Sequence, residues 1–185
     1  MKKVVLAISF FFFAFTSKAQ YEIKSIEGYS PNIGILITML DDLKSRVSSS
    51  VKGLNQEQTD FLLDKNANRI GAMIYHLAAT EKYYQVYTFE GRQFNAEEQK
   101  TWGLALGLGD NARNSKLLKG KPIKHYLDIW DEVRADTKKM LKTKDDAWLN
   151  TKASRMNYHW AWYHVMEHQA NHMGQIRMIQ KRAGN

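Results

Sequence analysis

Three histidines recur at four-residue intervals near the end of the chain, in HVMEHQANHMGQ at 164–175: His164, His168 and His172. On a helix of ~3.6 residues per turn, each step of four advances about 40°, so the imidazoles form one narrow stripe. Two imidazoles at i and i+4 project from successive turns of one face and can ligate the same first-row metal ion. A third nitrogen must then come from another helix. His76, in IGAMIYHLAATEKYY, is the other histidine at an inward position of a long apolar segment, and its neighbours Ala72 and Thr80 are small enough to leave room for an ion. Three neutral nitrogens with an open position describe a catalytic-type site rather than a closed structural one. The competing arrangement is a polar core in which the histidines are satisfied by hydrogen bonds alone.

A helical wheel of the last segment puts Ala161, His164, Val165, His168, His172, Gln175, Ile176 and Ile179 on one side and Met166, Ala170, Arg177 and Lys181 opposite. The histidines are therefore expected on the core-facing stripe. Gln175 is placed to hydrogen-bond a ligating imidazole or a bound water, since such ligands need outer partners. His164 is either a further outer partner of the site or a core residue bonded to a backbone carbonyl. Gly174 costs the helix ~1 kcal/mol relative to alanine, which reads as a close helix contact. Glu81 points away from the face that carries His76. His125 and His159 fall outside the constellation.

Four long amphipathic segments would position these residues. The first opens at Ser30-Pro31, a cap residue followed by proline at the first helical position, and carries Ile33, Leu36, Ile37, Leu40, Leu43 and Val47 inward before breaking over 48–53. The second runs from about Asn66 to Phe89. The third opens at Pro122, with Ile123, Tyr126, Leu127, Trp130, Val133, Thr137, Met140 and Leu141 inward. The fourth spans about Ser154 to Arg182, with Gly184 as its stop. Between Glu90 and Lys121 the connection is too long for a turn; Asn95 and Glu98 form a capping-box pattern, so a short extra helix through Trp102 and Leu106 is expected there. GLGDNA at 107–112 imitates a dinucleotide-binding glycine pattern but lacks the preceding strand. The expected fold is all-α, a four-helix bundle with a long connection between helices 2 and 3.

The start of the chain reads separately. MKK, the apolar run VVLAISFFFFAFTS and the small residues Ser17 and Ala19 have the anatomy of a secretory signal peptide over 1–19, leaving a domain over 20–185. The apolar run is short of the ~20 residues needed to span a bilayer, so no stable membrane insertion is expected after cleavage. The chain has no cysteine, which excludes a lipid anchor at the junction, disulfides and thiolate chemistry of its own. Removing Lys2, Lys3 and Lys18 takes the formal charge from +8 to +5. That value bears on solubility, and no helix carries the exposed basic stripe with interleaved aromatics that nucleic acid binding would require. The expected location is exported, periplasmic or extracellular.

HQANHMGQIR at 168–177 resembles the carboxy-terminal signature of the DinB-like superfamily, small bacterial four-helix bundles that are damage-inducible or metal-dependent. His168, His172, Gly174, Gln175 and Ile176 occupy that signature. WAWYHVMEH looks like its aromatic-rich lead-in, and IGAMIYHLAATEKYY is similar to the second helix that carries the first metal-binding histidine. The resemblance implies one divalent ion, zinc, nickel or iron, held by His76, His168 and His172, with Gln175 and His164 beside it. It implies a metal-dependent thiol transferase or hydrolase acting on a small molecule that the sequence does not name. The alternative is a non-catalytic, stress-associated bundle stapled by its ion. A cleft over the site lined by Tyr83, Tyr87 or Trp160 would favour the enzyme. Pairing of two bundles into a homodimer is common in the superfamily and is an expectation here.

Overall fold

The computed structural model describes residues 22–183, so the segment expected to be a signal peptide and the stop expected at Gly184 lie outside the described residues. The helices are α1 (Pro31–Val51), α2 (Gln56–Asp60), α3 (Ile70–Gln85), α4 (Ala96–Gly107), α5 (Asp110–Asn114), α6 (Ile123–Leu141) and α7 (Tyr158–Ala183). The fold is all-α; a two-residue antiparallel pairing, Lys152–Ala153 with Met156–Asn157, is the sole sheet among the described residues. α3 packs on α6 and α7, and α1 packs on the same two helices from the other side. No helix among the described residues is long and apolar enough to cross a membrane.

The local rules hold where they are strongest. Pro31 opens α1. Asn95 and Glu98 form the capping box of α4, Glu98 N donating to Asn95 Oδ1 at 2.9 Å and Asn95 N to Glu98 Oε2 at 2.8 Å. Three boundaries differ from the sequence expectation. α3 starts at Ile70 rather than Asn66, because the Asn66 amide is taken by Asp64 Oδ1 in a turn and Arg69 is extended. α7 starts at Tyr158 rather than Ser154, which adopts a left-handed φ of 56° at the tip of the small hairpin. α3 ends in a π turn, Val86–Glu90, stopped by Gly91 at φ 68°.

From Ile70 to Glu81 every residue of α3 is buried, which an amphipathic reading does not anticipate. α2 and α4 cover the faces that α6 and α7 leave open. A helix apolar nearly all round belongs at the centre of its domain. Two apolar clusters flank the middle of the molecule. One contains Val47, Val51, Ile70, Met73, Ile74, Tyr126, Trp130, Ile176 and Ile179; the other contains Ile33, Leu36, Ile37, Leu40, Leu141, Leu149, Trp162 and Val165.

Between them lies a polar layer contributed by all four long helices. Glu81 is fully buried and accepts from Arg134 twice, Nε to Oε1 at 2.7 Å and Nη2 to Oε2 at 2.9 Å. Thr137 Oγ1, Trp130 Nε1 and Gln169 Nε2 also donate to it, at 2.7, 3.0 and 3.3 Å. Arg134 reaches Asp41 of α1 at 3.1 Å. Burial alone would raise the Glu81 pKa; the Arg134 charge and these hydrogen bonds outweigh it and hold the carboxylate below its ordinary value. Both oxygens are saturated, the condition under which a buried ion pair is tolerated. Because its members lie at the same level of α1, α3, α6 and α7, the layer fixes the register of those helices.

Candidate metal centre

The register set by that layer brings His76 of α3 against His168 and His172 of α7. The three ligand nitrogens lie within 4.8 Å of one another. His168 Nε2 is 2.9 Å from His76 Nε2 and 2.9 Å from His172 Nε2. No Asp, Glu or Cys joins the cluster among the described residues.

The opposite ring nitrogens decide what those contacts mean. His76 Nδ1 donates to the Ala105 carbonyl at 2.8 Å. Ala105 lies in the last turn of α4, where carbonyls lack an intrahelical partner, so the bond satisfies both groups. A carbonyl carries no proton, so the proton sits on Nδ1 and Nε2 of His76 keeps its lone pair. His172 Nδ1 donates to Gln175 Oε1 at 3.0 Å, which leaves the same lone pair on its Nε2. Two lone pairs therefore face His168 Nε2. One N–H there could meet only one of them well, and His168 Nδ1 is buried without a partner. A cation at the shared point satisfies all three nitrogens. Tetrahedral zinc–nitrogen bonds of ~2.0–2.1 Å set neighbouring nitrogens about 3.3 Å apart, so binding would spread the two 2.9 Å pairs by about 0.4 Å and draw His76 and His172, within 4.8 Å, toward each other. The residues fit a divalent ion.

Protonation favours the same outcome. Burial, before any other cause, pushes His76 down to about 4, against the pull of its bond to Ala105. Burial, reinforced by His76, His172 and His164, pushes His168 down to about 3. His172 is also lowered by burial, opposed by Gln175. At neutral pH all three rings are neutral and able to ligate.

The remaining expected residues are placed less simply. The histidine stripe lies at the edge of the buried face of α7, not along its middle: Trp162, Val165, Gln169, Ile176 and Ile179 point into the core, while His164, His168 and His172 are half-buried. Gln175 is exposed, contrary to the inward position expected, yet it holds His172. His164 stays outside the three-nitrogen cluster. Its ring lies parallel to His168 at 5.8 Å and to Trp160 at 5.2 Å, and its Nδ1 is 3.3 Å from Glu167 Oε2. Gly174 makes no close contact; a Cβ there would meet open space, so the helix-packing role is corrected. Glu81 does point away from His76, but into the buried polar layer that the sequence does not reveal.

Beyond Trp160, a cavity of about 320 Å³ is lined by Arg155, Met156, Asn157 and the exposed indole. The stack Trp160–His164–His168 links this cavity to the three-nitrogen cluster. Tyr84 meets the edge of His164 at 5.9 Å, and Tyr83 stacks on Tyr87 at 6.1 Å. Of the three aromatics expected around a cleft, Trp160 lines this one.

The family model for mycothiol S-transferases matches residues 35–183, a span that contains all three histidines and most of the four long helices. The chain belongs to the mycothiol S-transferase family. That family is DinB-like, as the signature at 168–177 implies. No curated protein matches the chain. The Ala105 carbonyl and the Glu81–Arg134 layer are the supports that sequence spacing missed; the one local signal was the Gly107-Leu108-Gly109 stretch that ends α4.

Proposed function

We propose that the protein is a metal-dependent S-transferase that joins a low-molecular-weight thiol to a small electrophile, with His76, His168 and His172 holding its divalent ion. The observation that carries this reading is the convergence of three Nε2 atoms, two of them with lone pairs fixed by Ala105 and Gln175. Family membership supports thiol transfer in particular. His76, His168 and His172 are neutral ligands, so a divalent ion held by them would keep its full charge and would supply a lowered pKa to a bound thiol or water.

The chain's own residues supply the rest. Ala105 and Gln175 orient two rings, and the Glu81–Arg134 layer holds α3 and α7 in register. His164 is the proton acceptor: with Nδ1 donating to Glu167, its Nε2 takes the proton of the incoming S–H. The new bond joins sulfur to the electrophilic carbon, the bond from that carbon to its leaving group breaks, and the proton passes from His164 to the leaving group or to water. Trp160 and the cavity beside it hold the apolar part of a substrate by stacking.

The amino-terminal pattern supports export of this activity, with Gln20 as the first mature residue. That location favours one second reading, hydrolysis with water in place of the thiol, because small thiols are scarcer outside the cytoplasm. One experiment separates the two. Zinc-, nickel- and iron-loaded protein is assayed with an aryl halide and with an ester, each with and without a panel of small thiols. Aryl halide turnover that requires a thiol, and that His164→Ala lowers without lowering metal content, is the expected result. Ester turnover unaffected by thiols would establish the hydrolase instead. No turnover by any loaded form would leave the ion a structural staple.

A further inference from the structure

The amino-terminal end of α3 carries a second constellation that the metal centre does not use. The amino termini of α3 and α6 lie beside one another there, with Tyr126 of the first turn of α6 packed against Gly71; a Cβ on Gly71 would come within 2.4 Å of the Tyr126 ring. Neither helix has a side-chain cap, and neither has an acidic residue in its first turn. Their unpaired amides and dipole ends therefore add positive potential to the same place. A cavity of about 420 Å³ opens at this point, lined by Asp60, Arg69, Lys116, Lys119, Gly120 and Lys121. Gly120, at φ 75°, makes the turn that sets Lys119 and Lys121 on either side of it. None of the four cations forms an ion pair among the described residues.

Two buried polar atoms of residues that line this cavity lack partners: Arg69 Nε and Asp60 Oδ1. Tyr126 is fully buried, and its hydroxyl senses both Asp60 and Arg69. The Lys121 backbone also acts on this hydroxyl, so Tyr126 lies behind the cavity wall and does not open into it. The partners of Asp60 explain its orientation: Gly120 N and Gln56 Nε2 occupy Oδ2, at 2.8 and 2.7 Å, and leave Oδ1 free. Arg69 is likewise held through Nη1, which donates to the Arg113 carbonyl at 2.6 Å. Buried polar groups are nearly always paired, so these two orphans, a donor and an acceptor on one cavity wall, ask for a ligand.

We infer that this cavity binds a protonated phosphate, either inorganic phosphate or the terminal group of a small phosphomonoester. The lysines, helix amides and Arg69 are donors suited to phosphate oxygens. The one orphan acceptor, Asp60 Oδ1, would repel a fully ionised oxyanion but accepts the P–OH proton that inorganic phosphate carries at neutral pH, that a phosphomonoester carries below about pH 6, and that sulfate lacks. The site is separate from the metal centre and shares no residue with it.

The test is a titration of the full chain, freed of metal by a chelator, followed by amide NMR shifts at constant ionic strength in chloride. Inorganic phosphate, glycerol phosphate and sulfate are added in turn. Saturable shifts at 70–72 and 119–123 are expected with the two phosphates, and much weaker ones with sulfate. The tighter of the two phosphates identifies the source. Lys119→Ala with Lys121→Ala should weaken binding by about tenfold or more, with helix content and zinc uptake unchanged. Asp60→Asn should remove the preference over sulfate. An absence of saturable shifts would overturn the inference. So would shifts confined to the surroundings of His168 and His172, affinity unchanged in the double lysine variant, or sulfate bound as tightly as phosphate.

Discussion

Replacing Glu81 by glutamine tests whether the buried polar layer sets the register of the metal centre. The change keeps the volume but replaces one carboxylate oxygen by an amide NH2. Placed at Oε1, that group faces Arg134 Nε and Thr137; placed at Oε2, it faces Arg134 Nη2, Trp130 and Gln169. Either way at least two buried donors lose their acceptor, and Arg134 keeps its charge with only Asp41 beside it. Breaking one partner of such a pair costs ~3–5 kcal/mol, against a total stability of ~5–15 kcal/mol for a domain. At about 2–4 °C per kcal/mol for a chain of this length, the melting temperature falls by roughly 6–20 °C. Gln169 adjoins His168, so zinc affinity should fall with it, by about tenfold or more. Urea unfolding followed by circular dichroism, and zinc competition against a chromophoric chelator, read the two effects. Glu81→Leu combined with Arg134→Met should recover most of the stability, since apolar residues of similar volume replace the whole pair. A loss under about 1 kcal/mol for Glu81→Gln, the worth of an ordinary hydrogen bond, would refute the reasoning.

Other outcomes follow from the same geometry. Gln175→Ala removes the acceptor that orients His172 and should weaken metal binding by about 10- to 100-fold, measured by competition, while helix content stays constant. Metal-free protein should lose stability as pH falls from about 6.5 toward 4. The unfolded His76 takes its proton near 6.5 but the folded one only near 4, so the unfolded state binds more protons in that window. His76 alone contributes about 3 kcal/mol to that loss, checked by denaturation at successive pH values; stability unchanged over the window would contradict it. Gly174→Ala should stabilise the protein by up to about 1 kcal/mol, because the position is helical, exposed and open to a Cβ; a lower melting temperature would mean the glycine serves a purpose absent from this geometry.

Much of the architecture was legible because it rests on periodicity. The inward residues of α1 and α6 recur at helical spacing, and the Asn95–Glu98 box announced α4 within an otherwise opaque connection. The three histidines were legible for the same reason: i, i+4 spacing puts His168 and His172 on one stripe, and His76 stood alone in an apolar helix. What stayed hidden depends on tertiary neighbours. Glu81 read only as pointing away from His76, since a charge in a helix gives no local sign that a counter-charge awaits it 53 positions later, at Arg134. The complete burial of α3 follows from α2 and α4 covering it, and the short α2 gave no strong periodic signal. The Ala105 carbonyl is a backbone atom, so no residue type marks it. Gln175 and the histidine stripe were placed too far inward because a wheel orders residues by angle but does not show where the neighbouring helix ends.

A bound ion at His76, His168 and His172 is what the proposed chemistry requires. The most direct measurement is metal content by mass spectrometry on the chain from Gln20, purified without an affinity tag, beside a variant with His168→Ala and His172→Ala. About one equivalent of a transition metal in the parent, absent from the variant while both remain helical, is the predicted result. A parent that stays empty after dialysis against zinc and nickel, or a variant that retains the metal, would contradict it.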